Sequence, residues 1–294
     1  MRCIYCRKDE GACPKAAELS ADDLVRITRS CINLGIDRVR LTGGEPLLRK
    51  DILEIISGIK KTDGITDISM TSNGQMLAGM ADDLKKAGLT RINISLDSLD
   101  PAKFHELTGG DLEKVFEGLQ QALDAGLAPV KINTVLIKGI NDDEVDDLIA
   151  LTRDRPLDVR IIELMPMTGQ GANSSLRINN DDLIKARPYL KPISARYTGQ
   201  PSRDYQIEGY QGRVGFISPI YHRFCSDCNR IRVMSDGRLR LCLGREVEVS
   251  LKEALQAGDE TLTNVIRDAI YRKPLEHGFE TDFVAEREMI RIGG

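Results

Sequence analysis

A chain of 294 residues allows about two domains at roughly 150 residues each, or one larger α/β unit. With 41% hydrophobic and 29% charged residues it can bury a core, which excludes a disordered or collagen-like chain. The 41 Lys and Arg against 45 Asp and Glu give a net charge of −4, which argues against a protein that coats nucleic acid, and no run of about 18 apolar residues is present to span a bilayer.

The chain opens on MRCIYCRKDEG, which holds a Cys3-x-x-Cys6 pair and no apolar stretch of a secretory signal. Residues 20–34 read as a helix, with Ser20 as N-cap, Asp22 and Asp23 in the first turn, Gly35 past the end, and a stripe of Leu24, Ile27, Cys31 and Leu34. From there one pattern repeats. Strand-like runs at 38–41, 67–70, 91–96, 130–137 and 159–164 alternate with helical stretches at 51–60, 76–86, 111–125, 142–152 and 181–186. Such alternation builds a parallel sheet covered by helices. The turns LTGGEP, MTSNG, ISLDSLD, LIKGIN and ELMPMTG all follow carboxyl ends of strands, so five polar loops share one mouth, as in a barrel. The fold class is therefore α/β, an incomplete TIM-type barrel over 1–190, followed by a region at 191–294. In that region RIRVMSDGRLRLCL reads as a hairpin with a type I′ turn at Asp236-Gly237, followed by helices at 249–256 and 262–271. A cysteine motif at residue 3 has no strand ahead of it, so the chain as written is expected to start late, at an internal methionine or a misplaced start codon.

Seven cysteines lie at 3, 6, 13, 31, 225, 228 and 242, an odd and clumped set that reads as metal ligands in a reducing cytosol and not as a disulfide scaffold. Cys225-x₂-Cys228-x₁₃-Cys242 places a thiol pair before the hairpin and a third thiol near its far end. A zinc ribbon wants four closed ligands, with His222 the local candidate for the fourth; three thiolates suit an iron–sulfur cluster with one open iron. By itself Cys3-x-x-Cys6 serves zinc, redox or cluster chemistry alike, with Cys13 as a third ligand or a surface thiol, and Cys31 reads as a core thiol. In LTGGEP, Gly43 and Gly44 let the backbone approach a ligand and Glu45 is placed to accept from a ligand ammonium. Basic residues recur at strand positions: Arg38, Arg40, Lys131, Arg160, Arg230 and Arg232. Residues i and i+2 share a face, so inward pairs would need an anion such as a triphosphate, whereas outward pairs would be solvated. Lys60-Lys61 and 142–147 read as solvated faces, and His105 and His277 carry no assigned chemistry.

At these residues the sequence resembles the radical S-adenosylmethionine (SAM) superfamily, and within it the GTP 3′,8-cyclase family of molybdenum-cofactor biosynthesis. RCIYC resembles the tail of the CxxxCxxC motif, RLTGGEPLLRKD the glycine–glutamate motif, ISLDSLDP a barrel strand of this branch, FCSDCNRIRVMSDGRLRLCL the second-cluster signature, and Gly293-Gly294 the double-glycine tail. The resemblance implies two [4Fe–4S] clusters and SAM as cofactors. It implies GTP as substrate: a 5′-deoxyadenosyl radical removes the ribose 3′ hydrogen and the carbon radical attacks C8 of guanine. Cys3 and Cys6 match two ligands of the first cluster; Cys225, Cys228 and Cys242 match those of the second. Tyr5, Gly44, Ser95 and Met165 match the SAM-binding set, and Arg40, Thr71, Lys131, Arg160, Arg230 and Arg232 the GTP-binding set, with Arg38 assisting. No side chain is assigned as catalytic, because the radical forms on SAM. The family's first cysteine, first strand and one arginine would fall before Met1, so the chain as written is expected to be impaired at its first cluster. Further expectations are a cytoplasmic protein, an electron donor of flavodoxin type, and cyclic pyranopterin monophosphate synthase as the next enzyme. A membrane or nucleic-acid partner is not expected, and a homodimer is left open. The alternatives are another radical SAM enzyme with an auxiliary cluster, such as a peptide-modifying one, or a zinc-stabilised binding protein.

Overall fold

The computed structural model describes residues 1–6, 18–167 and 169–280. Cys13 and the Gly293-Gly294 tail lie outside those residues. The main sheet contains β1 (Arg38–Leu41), β2 (Asp67–Ser72), β3 (Arg91–Ser95), β4 (Val130–Leu136), β5 (Leu157–Glu163), β6 (Lys191–Ile193), β7 (Arg203–Gln206) and β8 (Arg213–Ile217). Their order is β1-β2-β3-β4-β5-β8-β7-β6. All neighbours through β8 pair in parallel, and β6 and β7 extend the sheet antiparallel.

One face of every parallel strand is apolar. Ile68, Met70, Ile92, Ile94, Ile132, Val159, Ile161, Val214 and Phe216 are buried there against the helices. The covering helices are α1 (Ala21–Ile32), α2 (Ile52–Lys60), α3 (Ala81–Ala87), α4 (Pro101–Thr108), α5 (Leu112–Asp124), α6 (Val145–Ala150) and α7 (Asn180–Lys185). Ser20 caps α1 as predicted, its hydroxyl accepting from the Asp23 amide while the Asp23 carboxylate reaches back. The other face curves in on itself. Arg38 on β1 lies 4.8 Å from the ring centre of Tyr197, just past β6, although these strands stand at opposite ends of the sheet order. A flat sheet would hold its first and last of eight strands about 34 Å apart at roughly 4.8 Å per strand. The sheet is therefore curled into an incomplete barrel, as the five polar loops at one mouth predicted.

A second, three-stranded antiparallel sheet joins β9 (Arg232–Val233), β10 (Arg238–Arg240) and β11 (Glu248–Ser250), followed by α8 (Lys252–Ala257) and α9 (Asp259–Tyr271). Leu239, Leu241, Leu251, Leu255, Leu262 and Ile266 from this unit close a core with Ile27 and Cys31 of α1, so Cys31 is a core thiol as expected. The predicted type I′ turn is absent. Among the described residues none other than glycine has positive φ, which type I′ requires at Asp236. Instead Met234 pairs with Arg238 across a three-residue loop, and Gly237 at φ 83° takes the left-handed position. The predicted helix at 249–256 begins only at Lys252, because Glu248–Ser250 pairs with β10. The predicted helix at 76–86 is turns until Ala81, with Met80 N–H donating three residues back to Leu77. The acidic stretch at 142–147 is not simply a solvated face either. Glu144 is buried and accepts from the Ser98 hydroxyl, the Leu99 amide and Lys103, while Asp146 pairs with Arg187. No helix among the described residues is long and apolar enough to cross a membrane.

Candidate active site

The concave face of the sheet is polar in every strand. Register places Arg40 beside Ser69, Thr71 beside Asn93, Asn93 beside Lys131, Ser95 beside Asn133, Asn133 beside Arg160, and Arg160 beside Gly215. Period-two alternation sends all of these to the side opposite the apolar residues. Lys131 and Arg160 are 4% and 5% exposed, so these cations point into the barrel and not out to water. Burial, then the charge of Arg160, brings the Lys131 ammonium down to about 8. Burial, then the charge of Arg40, brings Arg160 down to about 9. Arg40 is lowered as well, by burial and then by Arg91 and Arg230. Arg230 thus reaches from the C-terminal unit toward the same space, with Arg232 beside it, and burial followed by Arg230 lowers Arg232 to about 10.

Several donors here are buried with no hydrogen-bond partner: Nε of Arg160, Nη2 of Arg230 and Nη1 of Arg91. Buried, unmatched N–H groups beside clustered cations fit an anion with many acceptor oxygens. Thr71 accepts from the Asn93 amide on the same face. A cavity of about 300 Å³ opens at the amino ends of the strands, lined by Arg38, Asp67, Arg91, Lys131, Arg196 and Tyr197. The larger hollow of about 510 Å³ lies on the small sheet, around Arg238 and Glu248, and contains none of the predicted site residues.

At the carboxyl ends of the strands sits the first cysteine pair. The Arg2 and Ile4 amides donate to the Thr108 and Leu107 carbonyls, and Cys6 N–H closes a turn on the Cys3 carbonyl. Tyr5, between the cysteines, donates its hydroxyl to buried Asp97 at 2.6 Å, and Asp97 also accepts from the Val135 amide. Burial pushes Asp97 up to about 6, against the pull of those two donors. Hydrogen bonding to Cys6, then burial, holds the Cys3 thiol well above its ordinary range. Cys6 and Met165 pack in one apolar cluster with Met167, Ile220, Met234 and Phe279, while Ser95 is half-buried at the end of β3. Gly44 is exposed in the neighbouring turn. Glu45, expected to meet a ligand ammonium, is taken up by the protein: it accepts from the Leu47 amide, the Ser72 hydroxyl and the Asn73 amide. That makes it the brace of the glycine turn.

The second cysteine group is half-buried at the other side of the hairpin. Burial raises the Cys228 thiol, but the Arg230 amide, the Arg230 charge and Lys273 bring it down to about 7. Burial, with the fields of Cys228 and Cys225, raises Cys242. Lys273 donates to the carbonyls of Cys228 and Arg230 at 2.8 and 2.7 Å and lies 3.4 Å from the Cys228 sulfur. Arg240, with its side chain fully buried, donates to the Cys242 and Leu243 carbonyls and to Glu246 and Glu248. His222 is exposed, and among the described residues no three His, Cys, Asp or Glu side chains gather closely enough for one metal ion. Three thiols, one of them thiolate near neutral pH, fit the donor chemistry of an iron–sulfur cluster. Sequence reasoning missed Arg240, whose partners lie just along the chain at Cys242, Leu243, Glu246 and Glu248, and it missed Lys273, Arg196 and Asp97, which act through partners far away; of these three, Asp97, at a strand end in ISLDSLD, had a local signal.

The radical SAM superfamily model matches residues 1–152, and the molybdenum cofactor synthesis C model matches residues 157–279. The chain is 44% identical over 300 residues to a GTP 3′,8-cyclase of Peptoclostridium acidaminophilum, covering 100% of this chain and 92% of that protein. It is 45% identical over 300 residues to a GTP 3′,8-cyclase of Alkaliphilus oremlandii, covering 100% of this chain and 93% of that protein. Among solved structures it is similar in fold to Streptococcus suis SuiB bound to S-adenosylmethionine, with a TM-score of 0.59, 17% identity and 90% of this chain covered. A second SuiB structure matches with a TM-score of 0.62 and 16% identity over 94% of this chain; the chain spans 64% of the length of either SuiB chain. The chain belongs to the radical SAM superfamily and, within it, to the GTP 3′,8-cyclase family.

Proposed function

We propose that this chain is a GTP 3′,8-cyclase, converting GTP to 3′,8-cyclo-7,8-dihydro-GTP at the first step of molybdenum cofactor biosynthesis. The single observation that carries the substrate assignment is the polar concave face, where buried Lys131 and Arg160 stand with unpartnered donors of Arg160, Arg230 and Arg91. A peptide substrate has no triphosphate to match them. Cys3 and Cys6 would ligate the first [4Fe–4S] cluster, and Cys225, Cys228 and Cys242 the second. When bound, the first would supply the electron for SAM cleavage and the second a coordination position for the guanine.

The chain's own residues orient and shield. Tyr5, Gly44, Ser95 and Met165 surround the SAM position at the carboxyl ends of the strands. Arg40, Thr71, Lys131 and Arg160 hold the nucleotide from the strands, and Arg230 and Arg232 from the hairpin. Five cations from both halves of the chain fix the triphosphate, which leaves the ribose between the two cysteine groups. Low local dielectric strengthens each of these contacts relative to water.

Equilibrium GTP binding to the anaerobically reconstituted protein tests the reading. GTP should bind more tightly than GMP, through the phosphates, and more tightly than ATP, through the base. Equal affinity for all three nucleotides would overturn it.

A further inference from the structure

Asp158 sits on β5 directly across from Lys131 on β4, and both are buried, at 5% and 4% exposure. A buried carboxylate beside a buried ammonium ordinarily closes to a short, charge-assisted hydrogen bond of about 2.8 Å. Here it does not: Lys131 Nζ stands 3.6 Å from Asp158 Oδ2. The carboxylate is already engaged. Arg196, in the segment after β6, donates from Nη2 to both oxygens of Asp158, at 2.7 and 2.9 Å. The next residue, Tyr197, seats the same segment by packing its ring under Arg38. Lys131 has no other ion pair or hydrogen bond among the described residues and lines the 300 Å³ cavity.

The groups facing that ammonium are Asp158, Arg160, Arg91 and Arg196. Three are cations and cannot accept its protons. Two carboxylate partners would compete for one Lys, but two cations compete here for one carboxylate, and the guanidinium wins. The losing cation is left with its donors directed to whatever anion enters the cavity.

We propose that Arg196 is a positioning residue for the phosphate chain of the substrate: by engaging Asp158 it keeps that carboxylate off Lys131, whose ammonium then serves the phosphate oxygens. The proposal rests on the reading that Lys131 contacts the nucleotide. Without Arg196, Asp158 would swing onto Lys131, neutralise it, and place uncompensated negative charge at the cavity wall. Arg196 need not touch the nucleotide to control its binding.

The test is equilibrium binding of GTP and GMP to the reconstituted wild-type protein and to Arg196→Ala, Asp158→Asn and the Arg196→Ala/Asp158→Asn double variant. Arg196→Ala should weaken GTP binding by about tenfold or more, the worth of one lost charge contact, and GMP binding much less. The double variant should recover to within about threefold of wild type, because the competing carboxylate is gone. Asp158→Asn alone should bind GTP at least as tightly as wild type, and it serves where Arg196→Ala folds poorly. A merely structural Arg196 would leave the double variant as weak as the single one, and that result overturns the proposal while the functional reading stands. If wild type itself shows no preference for GTP over GMP, the cation cluster does not read a phosphate chain, and both fall.

Discussion

Removing the Arg240 side chain should destabilise the lobe that carries Cys242. All five guanidinium N–H donors are matched: Nε to the Cys242 carbonyl, Nη1 to Glu246 and Glu248, and Nη2 to the Leu243 carbonyl and Glu246. Arg240→Leu leaves two carboxylates and two carbonyls without that partner. Breaking a buried ion pair from one side costs about 3–5 kcal/mol. Glu246 keeps 26% of its side chain exposed, so water relieves part of its loss, and the lower end, about 3 kcal/mol, is expected. Arg240→Lys keeps the charge but loses the fork, and a single ammonium cannot reach all four acceptors; about 2 kcal/mol should still be lost, as for one charge-assisted bond. Urea unfolding followed by circular dichroism reads both variants as shifts in midpoint at constant slope. Alkylation of Cys242, followed by mass spectrometry, should quicken in step, since Arg240 holds the carbonyls of Cys242 and of Leu243 after it. Arg240→Leu within about 1 kcal/mol of wild type, or a Lys variant indistinguishable from it, would refute this account of the lobe.

Nucleotide affinity should fall as pH rises through about 8, because burial has lowered the Lys131 ammonium to that value and only its charged form serves phosphate; titrating GTP affinity between pH 7 and about 9 checks this, and a Lys131→Met variant should lose the slope. Glu163, 2% exposed with one oxygen unpartnered, is raised by burial to about 7 from 4.5. Its neutral form is the one the fold favours, so its contribution to stability is full below about 4.5 and is lost as pH climbs to about 7, on the order of 3 kcal/mol in all. Denaturation midpoints of wild type and Glu163→Gln across that window should converge at the acid end and diverge toward pH 7, with the variant the more stable. Gly215→Ala would set a methyl into the Ser202 hydroxyl and 3.2 Å from the Arg160 stem, so it should destabilise by about 1–3 kcal/mol and weaken GTP binding, read by melting and by equilibrium binding.

Much of the architecture was legible because local and tertiary preferences agree in the barrel. Ile68, Ile92, Ile132 and Val159 are β-branched residues on strands whose one face meets helices, and the Ser20–Asp23 capping box marks where α1 starts. The helix at Pro101–Thr108 was equally marked, by Asp100 as N-cap and Pro101 in the first turn, yet no helix was expected there and its Asp100-Pro101 start was read as the end of a strand motif. The hairpin failed for a different reason. Asp-Gly fits a two-residue turn and a three-residue one alike, and only pairing of Met234 with Arg238 chooses between them. Strand β11 was lost because Val249 gains its partner from β10, a tertiary choice that helix propensity does not register.

The candidate site divides along the same line. Lys131 and Arg160 were readable because a cation in a β-branched run contradicts its surroundings, and such contradictions mark ligand positions. The residues that tune them were not. Arg196 is an ordinary basic residue in a Gly- and Ser-rich connection until the fold brings it onto Asp158, and Lys273 lies 45 positions from Cys228. Glu45 was read as a ligand acceptor from its motif, but the bracing it gives the glycine turn through Leu47, Ser72 and Asn73 was not foreseen.

In the function proposed, the cationic concave face and the C-terminal cysteine group hold one GTP between them, phosphates on the first and guanine on the second. Hyperfine spectroscopy of the reduced, reconstituted protein with ¹⁵N-guanine-labelled GTP measures this directly. A nitrogen coupling to iron at the proposed Cys225, Cys228 and Cys242 site, absent with ATP and lost in Lys131→Met at limiting nucleotide, is the predicted result. GTP that binds tightly with no nitrogen coupling at that iron would contradict it.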